Sequence, residues 1–220
     1  MTLPAGRFIA LAAVAGVLAG GLAVYVMGSP SGNNPTVAGS TSSGEVASCP
    51  QSVARAEAVG EAAKGEVAAM LAADPARRMP PLSFTGPDGQ AMSLADFAGK
   101  TVLVNLWATW CAPCRAEMPA LDTLETEMGG EAFEVVAINV DTGGDEKPKA
   151  FLDETGVSAL GYYRDASMEV FNALKRESLV LGLPATLLVD GDGCLLGHMN
   201  GPAEWASEDA KALIGAALGS

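Results

Sequence analysis

A single histidine, His198, and only four cysteines occur among the 220 residues. Structural zinc asks for four nitrogen or sulfur ligands. Cys49 and Cys194 each lack a second ligand nearby at zinc spacing, so no dedicated metal site is expected. His198 alternates with apolar neighbours and reads as a surface or strand histidine rather than a ligand. Positive charge is also scarce: 13 Lys and Arg stand against 26 Asp and Glu, for a net charge of −13. Such an acidic chain is a poor partner for nucleic acid or anionic lipid, and its charge serves solubility. No repeat of fixed period recurs along the sequence. Charge of either sign is nearly missing from residues 1–48, which hold only Arg7 and Glu45.

That uncharged front contains FIALAAVAGVLAGGLAVYVM, residues 8–27. A helix of this length measures ~30 Å, the thickness of a bilayer's hydrocarbon core. Arg7 and the amino terminus supply a positive flank, so residues 1–7 are expected to stay cytoplasmic and the rest to be exported. A cleaved signal peptide is the alternative. Its apolar region would run to roughly 7–15 residues and lead into an A-x-A site, whereas Gly28-Ser29-Pro30 follows here. Residues 28–48 are rich in Gly, Ser and Pro with no apolar period, which predicts a flexible linker spanning on the order of 25 Å. Residues 49–220 are long enough for one domain with a core of its own.

Within that domain, residues 51–73 are Ala-rich with spaced valines, predicting an N-terminal helix weakened by Gly60 and Gly65. A short strand is expected at 82–84, and Ser93 suits the N-cap of a short helix through Phe97 closed by Gly99. TVLVNL (101–106) and FEVVAINV (133–140) are nearly continuous apolar runs, the pattern of strands covered on both faces. A helix to about Met128 lies between them. Helices are expected at 147–155 and 166–176 with a short strand at 160–162. A hairpin should join 183–190 to 194–199 through Gly191-Asp192-Gly193, and a last helix should span 204–218. This alternation makes an α/β fold: a mixed central sheet flanked by helices.

Between the first buried strand and its helix lies WCAPC, Trp110 to Cys114. A CxxC at this junction is the pattern of a redox dithiol, because two sulfurs on a first helical turn can bond with little rearrangement. Cys111 comes first, at the positive end of the helix, which favours its thiolate; it is expected to be the attacking nucleophile. Cys114, one turn inside, is expected to resolve the mixed disulfide. Pro113 pre-sets the helical φ and removes an N–H that would lack a partner.

The stretch NLWATWCAPCRAEMPAL, together with LPAT at 183–186, VVAINVD at 135–141 and GPAEWASEDA at 201–210, resembles the TlpA/ResA/CcmG family of thioredoxin-like thiol:disulfide interchange proteins. The resemblance runs from about Cys49 to the end. It implies a thioredoxin-like fold, with Cys111 and Cys114 as the redox pair and Pro184 as a cis-proline facing it. Leu183 and Trp110 would meet the client. Two positions depart from ordinary thioredoxin: Asn105 stands where a buried aspartate is usual, and Ala137 where a lysine is usual. Glu117, one turn after Cys114, matches a glutamate of the family's reductases and offers a carboxylate to take the Cys114 proton. Pro119 is expected to kink this helix. In an exported protein the remaining pair, Cys49 and Cys194, suggests a disulfide closing a loop of about 145 residues; the family resemblance implies the same structural bridge.

The resulting expectation is a monomeric reductant in the cell inner membrane, facing the periplasm and needing no cofactor. The resemblance implies clients in copper-site assembly of cytochrome oxidase, namely a Sco-type copper chaperone and the CuA subunit. It also implies recharging by a membrane electron donor of the DsbD/CcdA type. Three alternatives stay open: reduction of apocytochrome c, a copper-binding chaperone using the CxxC pair, and a disulfide donor.

Overall fold

The computed structural model describes residues 48–219. The expected membrane segment at 8–27 and nearly all of the linker lie outside the described residues. Among the described residues no helix is long and apolar enough to cross a membrane. Ser48 and Cys49 enter through a bridge from Ser48 to Arg77, and the Cys49 N–H donates to the Ala76 carbonyl.

Helix α1 (Val53–Ala62) is followed by strands β1 (Leu71–Arg78), β2 (Ser83–Thr85), β3 (Ala91–Ser93) and β4 (Thr101–Trp107). Then come α2 (Ala112–Met128), β5 (Phe133–Asn139), α3 (Glu146–Thr155), β6 (Tyr163–Arg164) and α4 (Glu169–Arg176). Strands β7 (Ala185–Val189) and β8 (Cys194–Asn200) and helix α5 (Glu208–Leu218) complete the domain. The eight strands form one mixed sheet in the order β1-β8-β7-β4-β5-β6-β2-β3. Neighbours β4, β5 and β6 are parallel, while β7, β8, β1, β2 and β3 pair antiparallel. All seven residues of β4 are buried, as its unbroken apolar run requires.

Helix α2 buries Cys114, Glu117, Met118, Leu121 and Leu124, a stripe at helical spacing, and runs through Pro119 without interruption. Ser93 caps the short helical turn Leu94–Phe97 in a capping box with Asp96. Helices α1 and α5 pack on one another, and α1 also on β1 and β8. At Gly197 an added Cβ would come within 3.1 Å of the Leu71 carbonyl and of Val59, so the missing side chain lets α1 and β1 approach β8.

Two local expectations fail. The N-terminal helix does not reach residue 73: α1 stops at Ala62, Gly65 turns with φ +52°, and Leu71–Arg78 is a strand. Leu71 is 60% exposed and so never belonged to an apolar helix face. The strand state of this Ala- and Arg-rich segment comes from its partner, since Leu71 pairs with His198 and Arg78 with Cys194. The short strand expected at 160–162 lies at Tyr163–Arg164, where it can pair with both β5 and β2.

Candidate active site

The site is built where β4 feeds α2. After Trp107 the chain turns through Ala108, Thr109 and Trp110 before entering the helix. The buried Asp141 carboxylate, just past β5, fixes this turn. It accepts the Thr109 N–H at 2.9 Å, the Thr109 hydroxyl at 2.9 Å and the Asn139 amide at 2.7 Å. Because β5 runs parallel to β4 with Trp107 opposite Asn139, the two strand ends arrive side by side.

Cys111 occupies the N-cap of α2 and Cys114 the first turn; the two are joined by a disulfide, 2.01 Å between sulfurs. The Cys111 sulfur accepts the Cys114 N–H at 3.3 Å. That donor, together with the helix end, would favour negative charge on Cys111 once the bond is reduced. Cys111 retains 6% exposure and Cys114 has none. A sulfur-seeking partner therefore meets Cys111 first. Trp110, 66% exposed, stands beside it.

Glu117 lies one turn beyond Cys114 on the same buried face of α2. Its carboxylate is enclosed by three donors, one from β4 and two from the segment between β8 and α5. Asn105 of β4 donates its amide to Oε1 at 2.9 Å, while the Ala203 N–H and the Trp205 indole each donate to Oε2 at 3.1 Å. Burial pushes its carboxyl pKa up to about 7, and these three hydrogen bonds pull in the other direction. The Asn105 amide also reaches the Thr186 hydroxyl at 3.0 Å, and its own Oδ1 is buried without a partner among the described residues. The residue that replaces the usual aspartate thus serves as the hydrogen-bonding seat of a glutamate. A group with pKa near neutrality beside a buried thiol is suited to moving that thiol's proton.

Pro184 follows a cis peptide bond from Leu183 and is buried at the start of β7. Its neighbour Ala185 pairs with Leu106, which places Pro184 at the end of the sheet where β4 leads to Cys111. The Pro184 carbonyl is used by the Gly201 N–H. The half-exposed Leu183 keeps its own N–H and C=O free of partners among the described residues. Those free groups can pair with an extended peptide laid along this edge. Two residues earlier Leu181 is 78% exposed.

Cys49 and Cys194 form a second disulfide, fully buried, with Cα atoms 6.1 Å apart. Beside it the buried Asp190 carboxylate accepts the Ser52 hydroxyl at 2.5 Å, Arg55 at 2.8 Å, and the N–H groups of Asp192 and Cys194. This second bridge ties the domain's entrance to the β7–β8 turn. His198 is half-buried on β8, and its Nδ1 has no partner among the described residues. Among the described residues no cluster of three His, Cys, Asp or Glu side chains could hold a metal.

Three contributors are absent from the sequence-based expectations. They are Trp205 and the Ala203 N–H, which enclose Glu117, and Asp141, which holds the turn before Cys111. The quoted stretches GPAEW and VVAINVD contain them, but nothing local tells that they converge on the redox helix.

A helix-capping CxxC, a cis-proline across the sheet end and a mixed sheet between helices define a thioredoxin-like dithiol protein. The comparisons agree. The Redoxin family model matches residues 74–214. The thiol:disulfide interchange protein HelX of Rhodobacter capsulatus is 36% identical over 128 residues, 58% of this chain and 66% of that protein. The thiol-disulfide oxidoreductase ResA of Bacillus thuringiensis is 26% identical over 131 residues, 57% of this chain and 69% of that protein. The match to the thioredoxin-like protein YneN of Bacillus subtilis, 40% identical over 79 residues, spans 35% of this chain and under half of that protein, 46%. Among solved structures, a thioredoxin-family thiol:disulfide interchange protein of Chlorobium tepidum superposes with a TM-score of 0.52. It is 26% identical, over 64% of this chain and 95% of that one. The chain belongs to the Redoxin family, in its TlpA/ResA/CcmG group of thiol-disulfide oxidoreductases.

Proposed function

We propose that the chain is a membrane-anchored, periplasm-facing reductant of protein disulfides. The observation that carries this reading is the asymmetry of the pair: the Cys111 sulfur sits at the helix mouth on an N–H donor, and Cys114 is sealed behind it beside Glu117. In the reduced protein the Cys111 thiolate attacks one sulfur of a client disulfide. The client's S–S bond breaks, a Cys111–client disulfide forms, and the first client thiolate leaves and takes a proton from solvent. The Glu117 carboxylate then accepts the Cys114 proton. The Cys114 thiolate attacks the Cys111 sulfur, the Cys111–Cys114 bond forms, and the second client thiolate departs. Two electrons have passed to the client, and the protein is left in the oxidised form described above.

The residues between the cysteines, Ala112 and Pro113, bring no charge or histidine to hold the dithiol form as strong oxidants do, which favours a reductant over a disulfide donor. A membrane dithiol donor of the DsbD/CcdA type would restore the reduced pair. We assign as clients the cysteine pairs of copper-site assembly, the Sco-type chaperone and the CuA subunit, which bind copper only when reduced.

Replacing Cys114 with Ser leaves the first step intact and removes the second, so the client should accumulate as a mixed disulfide on Cys111. Recovery of copper-site proteins in that adduct is the expected result. Recovery of apocytochrome c instead would move the protein to haem attachment. A variant that traps nothing, while the native reduced domain binds copper tightly, would make the chain a copper carrier.

A further inference from the structure

The nucleophile opens beside a groove of about 460 Å³ lined by Thr109, Trp110, Arg115, Lys147, Phe151 and Glu154. Its floor is the Phe151 ring, which packs on the buried Trp107 at 5.7 Å between centroids. One wall is Trp110, the exposed indole next to Cys111. The Arg115 guanidinium lies 4.9 Å from the Phe151 centroid, held over the ring face by cation–π attraction. Arg115 is rooted against the redox pair, since its N–H donates to the Cys111 carbonyl at 3.1 Å.

The charges of this groove are uncommitted. Among the described residues Arg115 and Lys147 are in no ion pair, a state they share with Lys64, Arg78, Arg164, Lys175 and Arg176; these two are the ones that line the groove beside Cys111. Glu154, the one anion of the lining, forms none either among the described residues. A chain of net charge −13 therefore presents two free cations and an apolar platform beside its attacking sulfur. The rest of the surface repels an acidic client at a distance, so any preference must come from contact here.

We infer that this groove selects client segments carrying a carboxylate and an apolar side chain within two or three residues of the attacked cysteine. The apolar side chain packs on Trp110 and Phe151, and the carboxylate pairs with Arg115 and Lys147. An extended segment advances ~3.3 Å per residue, so two or three residues carry it from Cys111 across the groove. This inference rests on the reductant reading and adds the local sequence feature by which a client cysteine is chosen.

Two disulfide-closed peptides of identical composition test it. One has Glu beside its cysteine and Lys at the far end; the other has these two residues exchanged. Equal net charge cancels the long-range field. The prereduced protein should reduce the Glu-proximal peptide about three- to tenfold faster, the range expected of one or two partly exposed ion pairs. In R115E/K147E the ratio should invert, and in R115Q/K147Q it should approach one. A ratio also cancels any change in the reactivity of Cys111 itself. A ratio near one for the native protein, or one unmoved by the charge reversal, overturns the inference. Hydroxyethyl disulfide, small and neutral, separates the two levels. If the native protein reduces it while the peptides react alike, only the groove's role falls. If it is not reduced, the reductant reading falls and the groove's role with it.

Discussion

Glu117→Gln should slow release of the client by about 100-fold, the common loss when a positioned proton acceptor is removed. It should leave the first attack by Cys111 nearly untouched. The mixed disulfide would then accumulate in the variant, which acid quenching and gel separation can count. The same substitution should change the pH dependence of stability. Burial raises the Glu117 pKa from 4.5 to about 7, so between these values the folded protein keeps a proton that the unfolded chain has lost. Its contribution is complete below pH 4.5 and disappears as pH rises through 7. The loss amounts to ~3 kcal/mol for a shift of this size. Gln cannot titrate, so urea unfolding of Glu117→Gln should lack this slope between pH 5 and 8. The variant should fold, because Gln keeps an oxygen for the Trp205 and Ala203 donors, and a flip of the Asn105 amide, which now donates to Oε1, turns its unpartnered Oδ1 toward the new N–H. An unaltered slope in the variant would assign the pH dependence to another group.

Removing the second bridge, with Cys49→Ala and Cys194→Ala together, should destabilise the domain by up to ~4–5 kcal/mol. That is the chain-entropy value for a closed loop of 145 residues. At ~2–4 °C per kcal/mol for a domain of this size, the melting temperature should fall by about 10–15 °C. The Asp190 network would still hold α1 to the β7–β8 turn, which makes the figure an upper bound. Reduction of hydroxyethyl disulfide below the melting range should continue at the native rate. Loss of that activity with stability preserved would make the bridge part of the electron path instead of a staple.

The redox helix is legible in the sequence because its signals are local: Cys111 as cap, Pro113 in the first turn and an apolar stripe ending at Met128 fall within one stretch. Strand β4 is legible because burial on both faces demands an unbroken apolar run. Strand β1 is not, since LAADPARR has no strand character of its own and acquires it from β8, more than a hundred residues away. The setting of Glu117 is hidden for the same reason. A glutamate in a helix usually faces solvent, and Ala203 and Trp205, which bury it, come 86 and 88 residues later. Spacing suggests a carboxylate near Cys114; only the folded chain shows a closed polar seat around it.

Alkylation of the fully reduced protein by iodoacetamide, followed by mass mapping across pH 5 to 9, tests the central claim most directly. Cys111 should react first, with a midpoint well below the ~8.5 of a free thiol, and Cys114 should stay unmodified until the domain is denatured. Modification of Cys114 ahead of Cys111, or a Cys111 no more reactive near neutrality than free cysteine, would contradict the account.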